Sequence, residues 1–284
     1  MEHVRPPYVS AGLRPPGLGR QAFLLVRRET AAKFASLWFW LVASALCLMA
    51  YVYGSGFAQT FETESVLVTA DPLAGLNMLV VAFLGLVLGL RLAGGLSWER
   101  EHHTLEVLLV GPVSSSVVVL AKYLAELVVL AVLVAVYCFY IVAAQPLGAG
   151  VTGAGDFAAI LANGLFVLPV MAMGLAVSAM TGSVRMAVLI YLALVALLAA
   201  YEVGLGLLRA LPAETMSLFS LYLQALLEAG APLFHALSPV AGIAFLAERL
   251  VTQEAPSVPQ SLGVIALTAG LALLSCYIAR RKGA

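Results

Sequence analysis

The chain has 284 residues, of which 62% are hydrophobic and 11% charged, and its formal net charge is zero. Soluble globular domains carry about 25% charged residues, so this composition excludes a cytosolic enzyme, a nucleic-acid-binding protein and a disordered scaffold. The mean hydropathy of +1.02 instead predicts an all-α membrane protein that crosses the bilayer several times.

The amino-terminal region lacks a long apolar run. Residues 1–20 contain four prolines and predict a disordered tail. Residues 21–33 predict an amphipathic helix on the membrane surface. In that helix Arg27, Arg28 and Lys33 would face lipid headgroups, while Phe23 and its apolar neighbours dip inward.

Six apolar runs follow that are long enough to cross the bilayer, since a spanning helix needs about 20 residues. They predict a transmembrane domain over residues 34–279, with spans at 34–57, 72–96, 117–144, 157–181, 186–208 and 262–279. In the fourth span, Pro169 and Gly174 predict a kink beside a close helix contact. Residues 280–284 form a basic tail.

The segment 209–260, before the last span, is apolar but interrupted by prolines. These are Pro212, Pro232, Pro239, Pro256 and Pro259. Its pieces are too short to cross the bilayer, so we expect short interfacial or re-entrant helices there.

Basic residues predict the orientation. With six spans, Arg100, Arg185 and the basic residues of both terminal segments fall on one side of the membrane, whereas Arg209 and Arg249 fall on the other. Basic residues concentrate in cytoplasmic segments. We therefore expect both termini in the cytoplasm of a multi-pass protein of the cell (inner or plasma) membrane.

The motifs of common catalytic chemistry are missing from the sequence. It contains no G-x-x-x-x-G-K-[ST] loop, no H-E-x-x-H and no C-x-x-C. Cys47, Cys138 and Cys276 stand far apart in apolar runs, which favours neither a disulfide framework nor a metal site. The expectation is a chain that is not an enzyme and binds no metal or other cofactor.

A short amphipathic helix is predicted at residues 98–110, between the second and third spans. Ser97 can cap its start, and Glu99 and Glu101 suit its positive end. Leucines at 105, 108 and 109 share one face, and Gly111-Pro112 ends the helix. Such a helix either lies on lipid or docks into a groove of a partner protein.

This stretch resembles the signature of ABC-2 type transporter permeases. The matching residues are Glu99-Arg100-Glu101, Thr104-Leu105-Glu106, Leu108-Leu109, Pro112-Val113-Ser114 and Lys122. The opening of the first span, Leu25-Val26-Arg27-Arg28-Glu29, is similar to the Arg/Lys-Glu opening of that family. The chain departs from the pattern at His103, where the family usually has glycine.

The resemblance implies a permease subunit of an ABC transporter, and we favour an exporter. Residues 98–110 would be the coupling helix that seats in a separate ATP-binding subunit, which would hold ATP and Mg. A complete transporter would need a second copy, giving a homodimer, or a related permease. Two alternatives remain open, namely the haem-exporter type B subunit of cytochrome c maturation and an ion-coupled secondary transporter.

Three charged residues lie inside the predicted spans. Arg91 and Lys122 lie near the cytoplasmic ends of spans two and three, where both can snorkel to the interface. Glu126 is deeper and follows Lys122 by four residues, so a pair within the helix is available. We hypothesise that Arg91, Lys122 and Glu126 form an ionic latch that holds the resting state.

Overall fold

The structure is a computed structural model that describes residues 18–64, 72–104, 114–144, 154–210, 217–238 and 258–282. Every regular element in these ranges is an α-helix. In chain order the helices are α1 (Leu18–Phe34), α2 (Leu37–Glu64), α3 (Pro72–Glu101), α4 (Ser115–Ala144), α5 (Ala154–Gly164), α6 (Val167–Met180), α7 (Val184–Ala210), α8 (Leu218–Leu237) and α9 (Val258–Lys282).

Five stretches within the described ranges are helical, long and apolar enough to cross a membrane. They are Gly75–Glu101, Ser115–Ala143, Ile160–Met180, Val184–Ala210 and Ser261–Arg281. A sixth candidate is the pair Gly19–Phe34 and Leu37–Tyr53, which is bent by 64°. The structure therefore has five candidate spans, or six if the bent pair crosses as one.

The bend between α1 and α2 falls at residues 35–36. Phe34 closes α1, and α2 begins at Leu37, three residues after the predicted start of the first span. The Ser36 hydroxyl donates to the Lys33 carbonyl at 2.6 Å, which satisfies one of the last carbonyls of α1. At its other end α1 begins at Leu18, three residues before the predicted start. The predicted disordered tail otherwise lies outside the described residues.

The predicted fourth span consists of two helices. α5 ends at Gly164 and α6 begins at Val167. Between them, the Leu165 and Phe166 amides donate to the carbonyls of Ala162 and Asn163 in a tight turn. Pro169 follows in the first turn of α6, where a missing amide proton removes no helical hydrogen bond.

The core lies between α3, α6 and their neighbours. Along its length α3 packs against α6, and α4, α7 and α9 cover the pair. A Cβ atom at Gly174 of α6 would lie 3.1 Å from the Gly89 Cα atom of α3. Only glycine lets the two backbones approach this closely, so the predicted close contact is made, and its partner is α3 of the same chain.

In the proline-interrupted segment, the described part is α8. The Ser217 side chain caps this helix by accepting from the Ser220 amide at 3.2 Å. At 20 residues α8 is longer than the short pieces that we predicted, although it is not among the five candidate spans. Residues 211–216 and 239–257 lie outside the described residues.

Candidate functional site

Six charged side chains from α1, α3 and α4 meet at one end of the bundle, which we call the α1 end. This charged cluster consists of Glu29 and Lys33 on α1, Arg91 and Glu99 on α3, and Lys122 and Glu126 on α4. On α1 and α4 the two members are four residues apart, so each pair points from one face of its helix. The cluster joins three helices through ion pairs.

Glu126 is the most deeply buried member, with a side chain that is 0% exposed. Lys33 Nζ donates a hydrogen bond to its Oε2 atom. Arg91 Nη1 lies 3.6 Å from its Oε1 atom, and the guanidinium of Arg91 also stacks 4.3 Å from the ring centroid of Trp38. A single carboxylate on α4 thus connects α1 and α3.

Lys122 belongs to a second set of pairs. Its Nζ atom lies 2.8 Å from Glu99 Oε1 and 3.8 Å from Glu29 Oε2. The two members of the predicted latch that the structure brings together are therefore Arg91 and Glu126. Lys122 points to α3 and α1, and the structure shows no ion pair between it and Glu126 among the described residues.

Lys33 is one of three cluster members, with Glu29 and Glu99, that the predicted latch did not include. We expected it to face lipid headgroups, but its side chain is 11% exposed and turned toward α4. The available signal was the pair of opposite charges four residues apart, Glu29 and Lys33, which mirrors Lys122 and Glu126. Arg27 and Arg28 are exposed, and Arg28 Nη2 lies 3.2 Å from Glu29 Oε1.

The charged cluster borders an open groove of about 780 Å³. Gly94, Gly95, Trp98 and Thr104 are among its other lining residues. Three buried atoms of the cluster have no hydrogen-bond partner within the described residues, namely Arg91 Nη1, Glu99 Oε2 and Glu126 Oε1. Two of these atoms, Arg91 Nη1 and Glu126 Oε1, face each other as the ion pair at 3.6 Å.

Ser97 lies inside α3, four residues before its end, and is fully buried. Our prediction that it caps a new helix is wrong, because α3 continues without a break to Glu101. Its amide and that of Leu96 both donate to the Ser178 hydroxyl at 3.0 Å. Its own hydroxyl lies 2.8 Å from Thr181 Oγ1. These contacts fasten the end of α3 to the end of α6.

Glu99, Arg100 and Glu101 each contact a different helix. Glu99 pairs with Lys122 of α4. Arg100 Nη1 donates to the carbonyls of Ala179 and Thr181 at 2.8 and 3.0 Å, where a cation suits the negative end of α6. Glu101 Oε2 accepts from the Val184 amide at 2.9 Å, which caps the start of α7. Successive helical residues point about 100° apart, so three neighbours reach three partners.

The turn after α3 is made by the two histidines. His102 stacks on Trp98 with 4.4 Å between ring centroids, and His103 has a φ of 55°. This left-handed conformation is the one that glycine favours at the end of a helix, which accounts for the usual glycine of the resembled family. Thr104 then donates to the Glu99 carbonyl at 3.2 Å.

The structure does not describe the rest of the predicted coupling helix. Leu105, Glu106, Leu108, Leu109 and Pro112 lie outside the described residues. Residues 98–101 belong to α3 and 102–103 form a turn. A coupling helix that starts at residue 98 is therefore wrong, and any separate helix begins after the turn.

A second polar contact joins α8 to the carboxy-terminal half of α7. His235 Nδ1 lies 2.7 Å from Oε1 of the buried Glu202, and Tyr201 donates to the Leu227 carbonyl. Nearby, hydrogen bonds from Gln224 and Arg209 to Glu228 hold the pKa of that exposed carboxyl below its usual value.

The comparisons with known proteins give one family. The family model described as ABC-2 type transporter matches residues 20–208, a range that includes most of α1, the charged cluster and the resembled motif from Glu99 to Lys122. No curated protein sequence matches the chain. The matched range covers well over half of the chain. The protein therefore belongs to the ABC-2 type transporter family, whose membrane domain is a transport component, and it is a multi-pass transmembrane permease of an ABC transporter.

Proposed function

We propose that this permease is an exporter subunit driven by a separate ATP-binding subunit, which docks on the segment that follows the His102–His103 turn. The observation that carries this proposal is the anchoring of the α3 end to three other helices. Members of the family normally work with an ATP-binding subunit. ATP and Mg would be held by that partner, since this sequence has no phosphate loop.

The contacts at the α3 end provide a physical route for the coupling. A partner that moves the segment after Thr104 would pull on the last turn of α3. That turn is tied to α4 by Glu99, to α6 by Ser97 and Arg100, and to α7 by Glu101. Since packed helices move as units, the displacement would reach most of the bundle together.

The charged cluster would act as the latch of the resting state in this mechanism. Glu126 links Lys33 of α1 to Arg91 of α3 in a buried site. Buried ion pairs are sensitive to small displacements, because a separated charge loses its partner without regaining water. A shift of α3 relative to α1 and α4 would therefore break the pairs and favour a second arrangement.

The proposed orientation places the α1 end in the cytoplasm with both termini. Basic residues concentrate in the cytoplasmic segments of membrane proteins, and arginines lie at this end. They are Arg27, Arg28 and Arg100, Arg185 at the start of α7, and Arg280 and Arg281 at the end of α9. A complete transporter would contain two permeases, and we favour a homodimer in the cell membrane. No specific observation favours the haem-exporter or the ion-coupled alternative.

The test is affinity purification of the full tagged chain from its native membranes in mild detergent. We expect a Walker-motif ATPase to copurify with the wild type and to be lost from the double variant Leu105→Asp/Leu108→Asp. Two aspartates on one helical face would prevent the apolar docking of that face.

A matched control is Leu218→Asp/Leu221→Asp, two exposed leucines with the same spacing on α8. This variant should retain the ATPase, because the proposal places α8 on the other side of the membrane. Absence of an ATPase from the wild type, or its retention by the Leu105/Leu108 variant, would contradict the proposal.

A further inference from the structure

We propose that α3 contains a hinge at Gly94–Gly95 and that the charged cluster keeps this hinge straight. α3 is helical from Pro72 to Glu101, so the hinge is closed in this structure. When a partner moves the segment after Thr104, α3 would bend at the glycine pair. The link between the hinge and ATP hydrolysis therefore rests on the proposed function, whereas the hinge itself does not.

The glycine pair is not required by packing. A Cβ atom at Gly94 would lie 3.8 Å from Val184 Cγ1, which is an ordinary contact, and one at Gly95 would meet nothing within 4 Å. At Gly89 of the same helix, by contrast, a Cβ atom would overlap the Tyr191 hydroxyl. Each glycine inside a helix lowers the local helix–coil equilibrium constant about fivefold relative to alanine. Two adjacent glycines without a packing role make a weak point near the end of α3.

Ser178 of α6 supplies an additional hydrogen-bond acceptor at this point. In a straight α-helix, the hydrogen bonds that cross residues 94–95 have the amides of residues 95–98 as donors. Two of these amides, those of Leu96 and Ser97, donate to the Ser178 hydroxyl at 3.0 Å. A buried amide without an acceptor is costly, so this hydroxyl lowers the cost of a bend. A side chain that enters the hydrogen-bond ladder of a helix is a known cause of kinks.

The groove at the α1 end gives the hinge room to bend. Both glycines line this groove of about 780 Å³, together with Arg91 before them and Trp98 after them. Close packing resists the movement of a helix, and the open groove removes that resistance on one side of α3.

The ion pairs of the charged cluster lie on both sides of the glycine pair. Arg91 precedes the glycines and lies 3.6 Å from Glu126, whereas Glu99 follows them and lies 2.8 Å from Lys122. Both partners belong to α4, which is helical from Ser115 to Ala144 and fixes their spacing. A bend of α3 changes the spacing between Arg91 and Glu99, so it lengthens at least one of the two pairs. The pairs therefore oppose bending.

The test is hydrogen exchange of the full chain in nanodiscs, measured at the amides of residues 95–98 by mass spectrometry. Glu99→Gln removes the ion pair after the hinge. Lys122 keeps Glu29 as a second partner at 3.8 Å, so we expect this variant to fold. Its exchange at these amides should be at least about fivefold faster than in the wild type, as coupling between linked sites implies.

Alanines at the hinge should reverse this increase. Gly94→Ala/Gly95→Ala adds two methyl groups that meet no close neighbour, and it should slow the exchange of the Glu99→Gln variant about tenfold or more. The matched control is Gly204→Ala/Gly206→Ala on α7, where added Cβ atoms also meet nothing within 4 Å. That pair should leave the exchange at residues 95–98 unchanged, because it stiffens a different helix.

A second comparison applies if Glu99→Gln fails to fold. Gly94→Ala/Gly95→Ala in the otherwise wild-type chain should slow the exchange at residues 95–98 by the same factor. Unchanged exchange in Glu99→Gln or in the hinge-alanine variant, or equal slowing by the alanines on α7, would overturn the proposal. The chain is measured without an ATPase, so failure of the hinge and failure of the proposed function are distinguishable.

Discussion

Glu126 is a fully buried carboxylate whose two cationic partners come from different helices. Glu126→Gln would leave Lys33 and Arg91 facing a neutral amide in a site that excludes water. Removing one partner of a buried ion pair costs about 3–5 kcal/mol. Thermal unfolding in detergent, followed by circular dichroism, should show a loss of this order.

The double variant Lys33→Met/Glu126→Leu provides the control for that loss. It replaces both charges of the Lys33–Glu126 pair with apolar groups, so only Arg91, whose side chain is 23% exposed, keeps a charge without its carboxylate partner. We expect it to be more stable than Glu126→Gln. Equal losses in the single and double variants would show that the ion pairs do not account for the effect.

His103 carries a left-handed backbone at the end of α3. A residue with a Cβ atom is strained in this conformation by about 1–2 kcal/mol, part of which glycine would recover. His103→Gly should therefore raise the free energy of unfolding by about 1 kcal/mol, despite the greater freedom of glycine in the unfolded chain. His103→Val should lower the same free energy. A less stable glycine variant would contradict this interpretation of the turn.

At the level of the elements, α3 and α6 approach each other through Gly89 and Gly174. Gly174→Ala would push a methyl group against the α3 backbone, which cannot move aside as a side chain can. Overpacking of this kind costs about 1–3 kcal/mol. Gly204→Ala on α7 is the control, because its methyl group meets nothing within 4 Å. The unfolding temperature of that control should be unchanged or slightly higher.

The helices themselves could be predicted from the apolar runs. The predicted spans at 72–96, 117–144, 186–208 and 262–279 fall within α3, α4, α7 and α9, each of which extends beyond them by up to five residues. Hydropathy locates such segments because a spanning helix must satisfy its backbone internally. It does not locate breaks inside an apolar run. Pro169 and Gly174 predicted a kink in the fourth span, and the structure has a turn at residues 165–166, between α5 and α6.

The site was predicted less completely than the helices. The positions of Arg91 and Glu126 in apolar runs indicated an intramembrane pair, and the structure brings these two together. Lys33 was missed, and the end of α3 was assigned to a separate helix. Both errors have one cause, since the direction of a polar side chain near a helix end depends on tertiary contacts that the helical period does not determine.

For the molecule as a whole, the α1 end combines a deep ionic contact with the sequence signature of the family. The contacts of Ser97, Glu99, Arg100 and Glu101 make the end of α3 a junction of four helices. The charged cluster lies beside that junction and shares Glu99 with it. A transporter that responds to a partner at this end would therefore move the junction and the cluster together.

The most direct test is the basal rate of ATP hydrolysis by the complex of this chain with its ATP-binding subunit, reconstituted in liposomes. If the charged cluster holds the resting state, Glu126→Gln should raise the basal rate about fivefold or more, as coupling energies of about 1–3 kcal/mol imply. Glu228→Gln, which removes an exposed pair with Arg209, should leave the rate unchanged. An unchanged rate in a Glu126→Gln complex that still binds its ATPase would contradict the account.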